Sequence, residues 1–292
     1  MSTAGVAINI GKRAYRRAQL VRFSSLLGPA LLFYFLFFIV PHLFVLWNSL
    51  TPPDRVVSVS AYVDFFQNPV NLKILWRTVR LSLWTTAATL VVGYPISVYL
   101  TQSWRRGRTI VTFAVIAPIL ISAVARSYGW IIILGTNGLL SRLTDFLHIP
   151  GPVRLLYTEP GLVIALTHVF LPFMTLAIAG SLQQIHPSIP RAARIHGASR
   201  ARTFFRVILP LSMPGVTAGS AIVFCITASS FVTPALIGGT TIPMMSHVIY
   251  SNSVLLLDWP AAGAAAIVLL VTTIGITVSY TLWSGRFVVT TA

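Results

Sequence analysis

The sequence predicts an all-α polytopic membrane protein with six transmembrane helices and both termini in the cytoplasm. Of its 292 residues 55% are hydrophobic and only 9% charged, and the mean hydropathy is +0.82, too apolar for a soluble domain. Six apolar runs are each long enough to cross a hydrocarbon core of about 30 Å. The cations cluster in alternate connections between those runs, which sets the orientation.

The N-terminal segment, residues 1–25, carries Lys12, Arg13, Arg16, Arg17 and Arg22. With Leu20 and Val21 it suits a short helix on the cytoplasmic lipid surface. The first span, Leu26 to Trp47, is too long for a signal-peptide core and no small-residue cleavage site follows, so it reads as a retained anchor. Asn48 to Arg77 contains Pro52, Pro53, Asp54, Asp64, Asn68 and Pro69 and reads as a polar connection. Within it Tyr62, Phe65, Phe66, Leu72, Leu75 and Trp76 suggest amphipathic pieces on the membrane surface. The second span runs from Leu81 to Leu100, with a kink implied at Gly93-Tyr94-Pro95. Trp104, Arg105, Arg106 and Arg108 then close a cytoplasmic turn.

The third span, Ile110 to Leu134, contains Pro118 and Arg126. On a straight helix Arg126 lies about 24 Å beyond Ile110, near the far interface, where a long cation anchors by snorkelling. Gly135 to Pro160 is turn-rich, with Asn137, Gly138, Pro150, Gly151 and Pro152, and holds Asp145 and Glu159. The fourth span, Gly161 to Leu182, carries His168, read as a hydrogen-bonded histidine, and Pro172. The fifth, Val216 to Ile237, follows Gly215-x-x-x-Gly219, a signal for close helix packing. Gly238 to Pro260 has no Lys or Arg and one acid, Asp258. The last span, Ala261 to Trp283, leads to a tail, residues 286–292. Residues 26–285 thus form one membrane domain. The single cysteine, Cys225, has no partner for an internal disulfide and reads as a packing residue.

Lys and Arg number five at the N-terminus, three after span two, five after span four and one at the C-terminus. Cations confined to membrane edges argue against a nucleic-acid partner and for lipid contact and an N-in, C-in topology. The only lysines are Lys12 and Lys73, and no G-x-x-x-x-G-K-[ST] loop exists to cradle nucleotide phosphates. No H-E-x-x-H, Cys/His cluster or G-x-S-x-G elbow occurs either, so no catalytic or metal-ligating residue is assigned. Any ATP hydrolysis belongs to another subunit.

The chain is organised around the loop 183–211, whose central part continues to Gly215. It carries Arg191, Arg194, Arg200, Arg202 and Arg206 and no acid. Pro187 and Pro190 bar helix upstream, Ser188 is available as a cap, and Arg191 to His196 suits a short helix exposing Ala192 and Ala193. Gly197 permits a left-handed turn. Phe204, Phe205 and Ile208 share a face in the next run, and Pro210 and Pro214 fix where the fifth apolar helix begins. Small residues at a turn ringed by cations suit insertion into a partner's cleft.

This pattern resembles the cytoplasmic coupling motif of ABC importer permeases, through Ala192, Ala193, Gly197, Ala198, Ser199, Phe204, Val207, Leu209, Pro210, Pro214 and Gly215. Arg191 stands where that family usually has Glu. The resemblance implies a type I permease fold in a bacterial inner membrane. It also implies a dimer of ABC ATPase subunits as partner, with ATP and magnesium held there and not by this chain. A second homologous permease chain and an extracytoplasmic solute-binding protein complete the set. The residues it implies for ATPase coupling are Arg191, Ala192, Ala193, Arg194, Gly197, Ala198, Ser199, Leu209 and Pro210.

Three further segments resemble permeases of the spermidine/putrescine type: Arg126-Ser-Tyr-Gly-Trp130 leading into Leu134-Gly-Thr-Asn-Gly-Leu139, then Phe231 to Gly239, then Asp258-Trp-Pro260. A polyamine prefers acids or aromatic faces, which marks Tyr128, Trp130, Phe231, Asp258 and Trp259 as candidates for the solute path. No acid lies inside an expected span; Asp54, Asp64, Asp145, Glu159 and Asp258 fall in extracytoplasmic connections and read as solvated. The same importer class carrying another small organic or anionic solute stays open. An ion-coupled secondary transporter is disfavoured by the scarcity of ionisable residues in the spans.

Overall fold

The computed structural model describes residues 27–51, 57–101, 107–136, 138–146 and 154–285. The expected interfacial segment 1–25, Asp54, the turn at Trp104 to Arg106, Asn137, Pro150 to Pro152 and the tail 286–292 lie outside the described residues.

Helix α1 spans Leu27–Leu50 and is followed by a short α2, Ser60–Gln67. The long α3 spans Pro69–Thr101, α4 Arg108–Leu120, α5 Ala123–Leu134 and α6 Leu139–Phe146. Then come α7, Glu159–Gln183, and the short α8, Ser188–Ile195. Helix α9 covers Arg200–Ser229, α10 Met245–Tyr250 and α11 Trp259–Gly285. Five of these (α1, α3, α7, α9 and α11) are long and apolar enough to cross a membrane by themselves. Helices α4 and α5 meet at a bend of 108° at Ile121-Ser122 and reach the length and apolarity of a crossing only when taken together, the form of a broken span or a re-entrant loop. Three π turns sit beside prolines: Phe35–Ile39 before Pro41, Phe204–Ile208 before Pro210, and Pro234–Gly238 starting on one. A proline has no N–H for the ladder, and one wide turn absorbs the missing bond.

Helices α3 and α7 run parallel. Arg80 meets Glu159 near one end, and Ser97 Oγ donates to the Thr175 carbonyl at 2.9 Å further along both. Helix α9 runs antiparallel to them, with Tyr94 Oη bonded to Ser212 Oγ at 2.8 Å. Leu162, Leu166, Met174, Ile178 and Val223 fill the space between. Lipid supplies no hydrophobic drive for helix association, so close backbone approach and hydroxyl bonds matter more. A Cβ on Gly215 would lie 2.5 Å from Ser181 Cβ and 2.7 Å from the Ala177 carbonyl, and one on Gly219 2.9 Å from Met174 Sδ. The expected packing role of this glycine pair is therefore met, against α7. Helix α11 crosses α1 with Gly263 against Ser49, and Cys225 packs on it through Thr277 at 3.3 Å.

Several expected boundaries need correction. The second span begins at Pro69, so Leu72, Leu75 and Trp76 belong to α3, and only Tyr62, Phe65 and Phe66 form the short surface helix. Sequence reading stopped at Arg77 and Arg80 because they are charged; Glu159 pairs with both in place, at 2.5 and 2.6 Å from Arg80 and 3.6 Å from Arg77. Glu159 is accordingly ion-paired at the head of α7. The run expected as the third span is broken, so Arg126 does not lie on one straight helix with Ile110. It sits one turn past the break and its Nη1 donates back to the Pro118 carbonyl, one of the groups left without an N–H partner where α4 ends. The fifth span starts at Arg200, with Pro210 and Pro214 inside it, and ends at Ser229, short of Ile237.

Candidate functional site

At one end of the bundle α8 forms a short projecting helix. Pro187 precedes it without a side-chain cap, Ser188 is already helical and bonds His186 Nδ1, and Pro190 lies in the first turn, where its missing N–H does no harm. The expected cap at Ser188 and start at Arg191 are therefore both displaced upstream. The helix ends as expected: Ala198 N–H donates to the Ala193 carbonyl at 3.0 Å, Gly197 N–H to that of Arg194 at 3.0 Å, and Gly197 takes φ +82°. This is a glycine-terminated helix end, and a side chain at that φ is strained. Ser199 then caps α9, accepting from the Arg202 N–H at 3.2 Å.

The two helices present a fixed surface. Arg191, Ala192, Arg194, Ile195, His196 and Gly197 are exposed, Ala193 and Ala198 half-buried. Ser199, Arg200, Arg202 and Arg206 are exposed as well, whereas Leu209 and Pro210 are half-buried. Phe204 packs edge-on against Tyr94, 5.5 Å between ring centroids. Phe205 points away with 63% exposure, so the expected common face of Phe204, Phe205 and Ile208 is divided.

The solute-path candidates do not converge on one point. Phe231 occupies the non-helical step after α9 and meets His247 at 5.3 Å and Tyr250 at 4.9 Å. Those partners escaped sequence reading because only the break at Ser230 and the turn into α10 bring them together. Burial pushes the His247 imidazole below the usual histidine range. Trp130 Nε1 donates to His168 Nδ1 at 3.3 Å, confirming a hydrogen-bonded histidine, while Tyr128 is exposed. Asp258 caps α11, its Oδ1 accepting from the Ala261 N–H at 3.0 Å, with Trp259 exposed beside it. It also shares a cleft of about 640 Å³ with Asp64, Asn68, Asn71 and Asn252. Among the described residues no group of three His, Cys, Asp or Glu side chains could hold a metal.

The profile of the family described as binding-protein-dependent transport system inner membrane component matches residues 6–286. The chain belongs to that family. A spermidine/putrescine transport system permease protein of Haemophilus influenzae is 31% identical over 238 residues, covering 79% of this chain and 83% of its own. The corresponding Escherichia coli K12 protein is 30% identical over 241 residues, covering 80% and 87%. In fold, the chain superposes on a bacterial alginate ABC transporter solved with a periplasmic protein carrying an alginate pentasaccharide. The TM-score is 0.76 at 19% identity, over 95% of this chain and 98% of that one. This inner-membrane transport component therefore has the type I ABC permease fold.

Proposed function

We propose that this chain is the permease subunit of an ATP-driven importer for a polyamine such as spermidine or putrescine. The observation that carries the reading is the rigid α8–Gly197–α9 projection, exposed at one end and continuous with a membrane-crossing helix. Seated in the cleft of an ATPase subunit on the cytoplasmic side, it converts closure of the ATPase dimer into tilting of α9 against α7. ATP and magnesium stay on that dimer. A second homologous permease chain completes the pathway and a solute-binding protein delivers the cargo outside. The relatives named for spermidine and putrescine support the substrate class, and Phe231 with Tyr250 offers aromatic faces to an ammonium group.

The test is uptake of labelled spermidine by proteoliposomes holding this chain, its ATPase, its partner permease and the solute-binding protein. ATP-dependent uptake abolished by Ala193→Arg is expected; uptake without the ATPase overturns the reading. An anionic solute in the same importer class is a second reading. It is favoured by Arg126, a guanidinium at the α4–α5 bend with no ion-pair partner among the described residues. The same vesicles, given an aminophosphonate in place of spermidine, decide between them.

A further inference from the structure

Charge is distributed unevenly between the two ends of the bundle. The parallel run of α3 and α7 places Thr101 and Gln183 at one end, and the antiparallel α11 against α1 brings Gly285 and Leu27 to that end as well. The segments entering and leaving there hold fourteen of the 21 Lys and Arg residues, whereas Asp64, Glu159 and Asp258 lie toward the opposite end. Among the described residues no Asp or Glu pairs with the arginines of α8 or the first turns of α9. Among the described residues the only ion pairs are those of Glu159 with Arg77 and Arg80.

The outward face of α8 is specific in a second way. Pro190 and Ala193 are the half-buried side, while Arg191, Arg194 and Ile195 all face outward, Ile195 being 83% exposed. At 100° per residue Arg194, Arg191 and Ile195 follow one another across an arc of about 100°, so the isoleucine shares one face with both arginines. A lipid surface takes up an apolar side chain together with cations, and it is the docking role proposed above that selects a protein surface instead. A concave protein surface with carboxylates around an apolar floor answers both. Like charges at Arg191 and Arg194, three residues apart on one helix, also repel until an anion lies between them.

We infer that the ATPase cleft receiving α8 is acidic, with carboxylates facing Arg191 and Arg194 around an apolar pocket for Ile195. This rests on the docking role proposed above. The contact is ionic in character, so it weakens with salt, and its strength lies more in guanidinium forks than in the point charge of a lysine.

The experiment uses the full chain co-expressed with its ATPase and partner permease, captured in detergent by a tag on this chain, with retained ATPase measured from 50 mM to 1 M NaCl. Arg191→Gln with Arg194→Gln should reduce retention roughly tenfold at low salt and flatten its salt dependence. Arg191→Glu with Arg194→Glu should abolish it, and carboxylate-to-arginine changes in the ATPase cleft should restore it. Retention equal to wild type at every salt concentration for both double variants, with Ala193→Arg still abolishing it, overturns the acidic cleft and leaves docking intact. Retention surviving Ala193→Arg as well overturns docking itself. Retention that needs added phosphatidylglycerol and ignores changes in the ATPase cleft assigns the arginines to lipid and also overturns the inference.

Discussion

The Arg80 guanidinium holds both carboxylate oxygens of Glu159, at 2.6 and 2.5 Å, joining α3 to the first turn of α7. Arg77 adds a longer contact to Oε1 at 3.6 Å. A carboxylate at a helix N-terminus is also favoured by the helix dipole. Both partners of the closer pair are about a third or more exposed, which limits its worth.

Glu159→Gln should accordingly lower stability by only about 1 kcal/mol, read as a small drop in the unfolding midpoint in detergent. Arg80→Lys should lose less, because both contacts run from the single Nη2 nitrogen, which an ammonium can replace. An unchanged midpoint in both would mean that packing alone holds α3 against α7.

Gly215→Leu should be far more damaging. Its added atoms meet the backbone of Ala177 and Ile178 and not a flexible side-chain tip, and forcing helices apart costs about 1–3 kcal/mol. Gly275→Ala is the control, since nothing lies within 4 Å of a Cβ there. Folded yield by size-exclusion chromatography should fall for the first variant and hold for the second.

Arg126→Leu should loosen the joint between α4 and α5 by removing the donor to the Pro118 carbonyl. A carbonyl so abandoned costs about 1–3 kcal/mol. Hydrogen exchange at residues 118–126 should rise, and Arg126→Lys, which keeps a donor, should show less of it.

His247 supplies a pH dependence. Its imidazole is held below the unfolded value of about 6.5 by burial beside Phe231, so the unfolded chain takes up its proton first. Its contribution is complete above that value and declines as pH falls further. Unfolding midpoints from pH 8 to pH 5 should fall less for His247→Phe than for the parent chain.

Sequence reading recovered the membrane class, the crossing helices and the projecting segment because apolar run length, cation spacing, Gly197 and its flanking alanines are local signals. It misplaced what depends on a partner distant in the chain. Arg77 and Arg80 ended a predicted helix early because nothing near them in sequence announces Glu159. Reading the third span as one straight helix through Pro118 and Arg126 ignored the carbonyls exposed where α4 ends at Leu120. Pro210 and Pro214 suggested a boundary at which the π turn instead lets the helix continue. The aromatic group around Phe231 depends on a backbone step that periodicity does not register.

The glycine contact between α9 and α7 also divides a lever. Gly215 stands about 22 Å from Arg200 and about 21 Å from Ser229 at 1.5 Å per residue, so the fulcrum is close to the middle of the beam. Rotation by about 5° swings the two tips by about 2 Å in opposite directions. On the coupling role proposed above, a push on the arginine-bearing tip moves the Ser229 tip by a similar distance in the opposite sense.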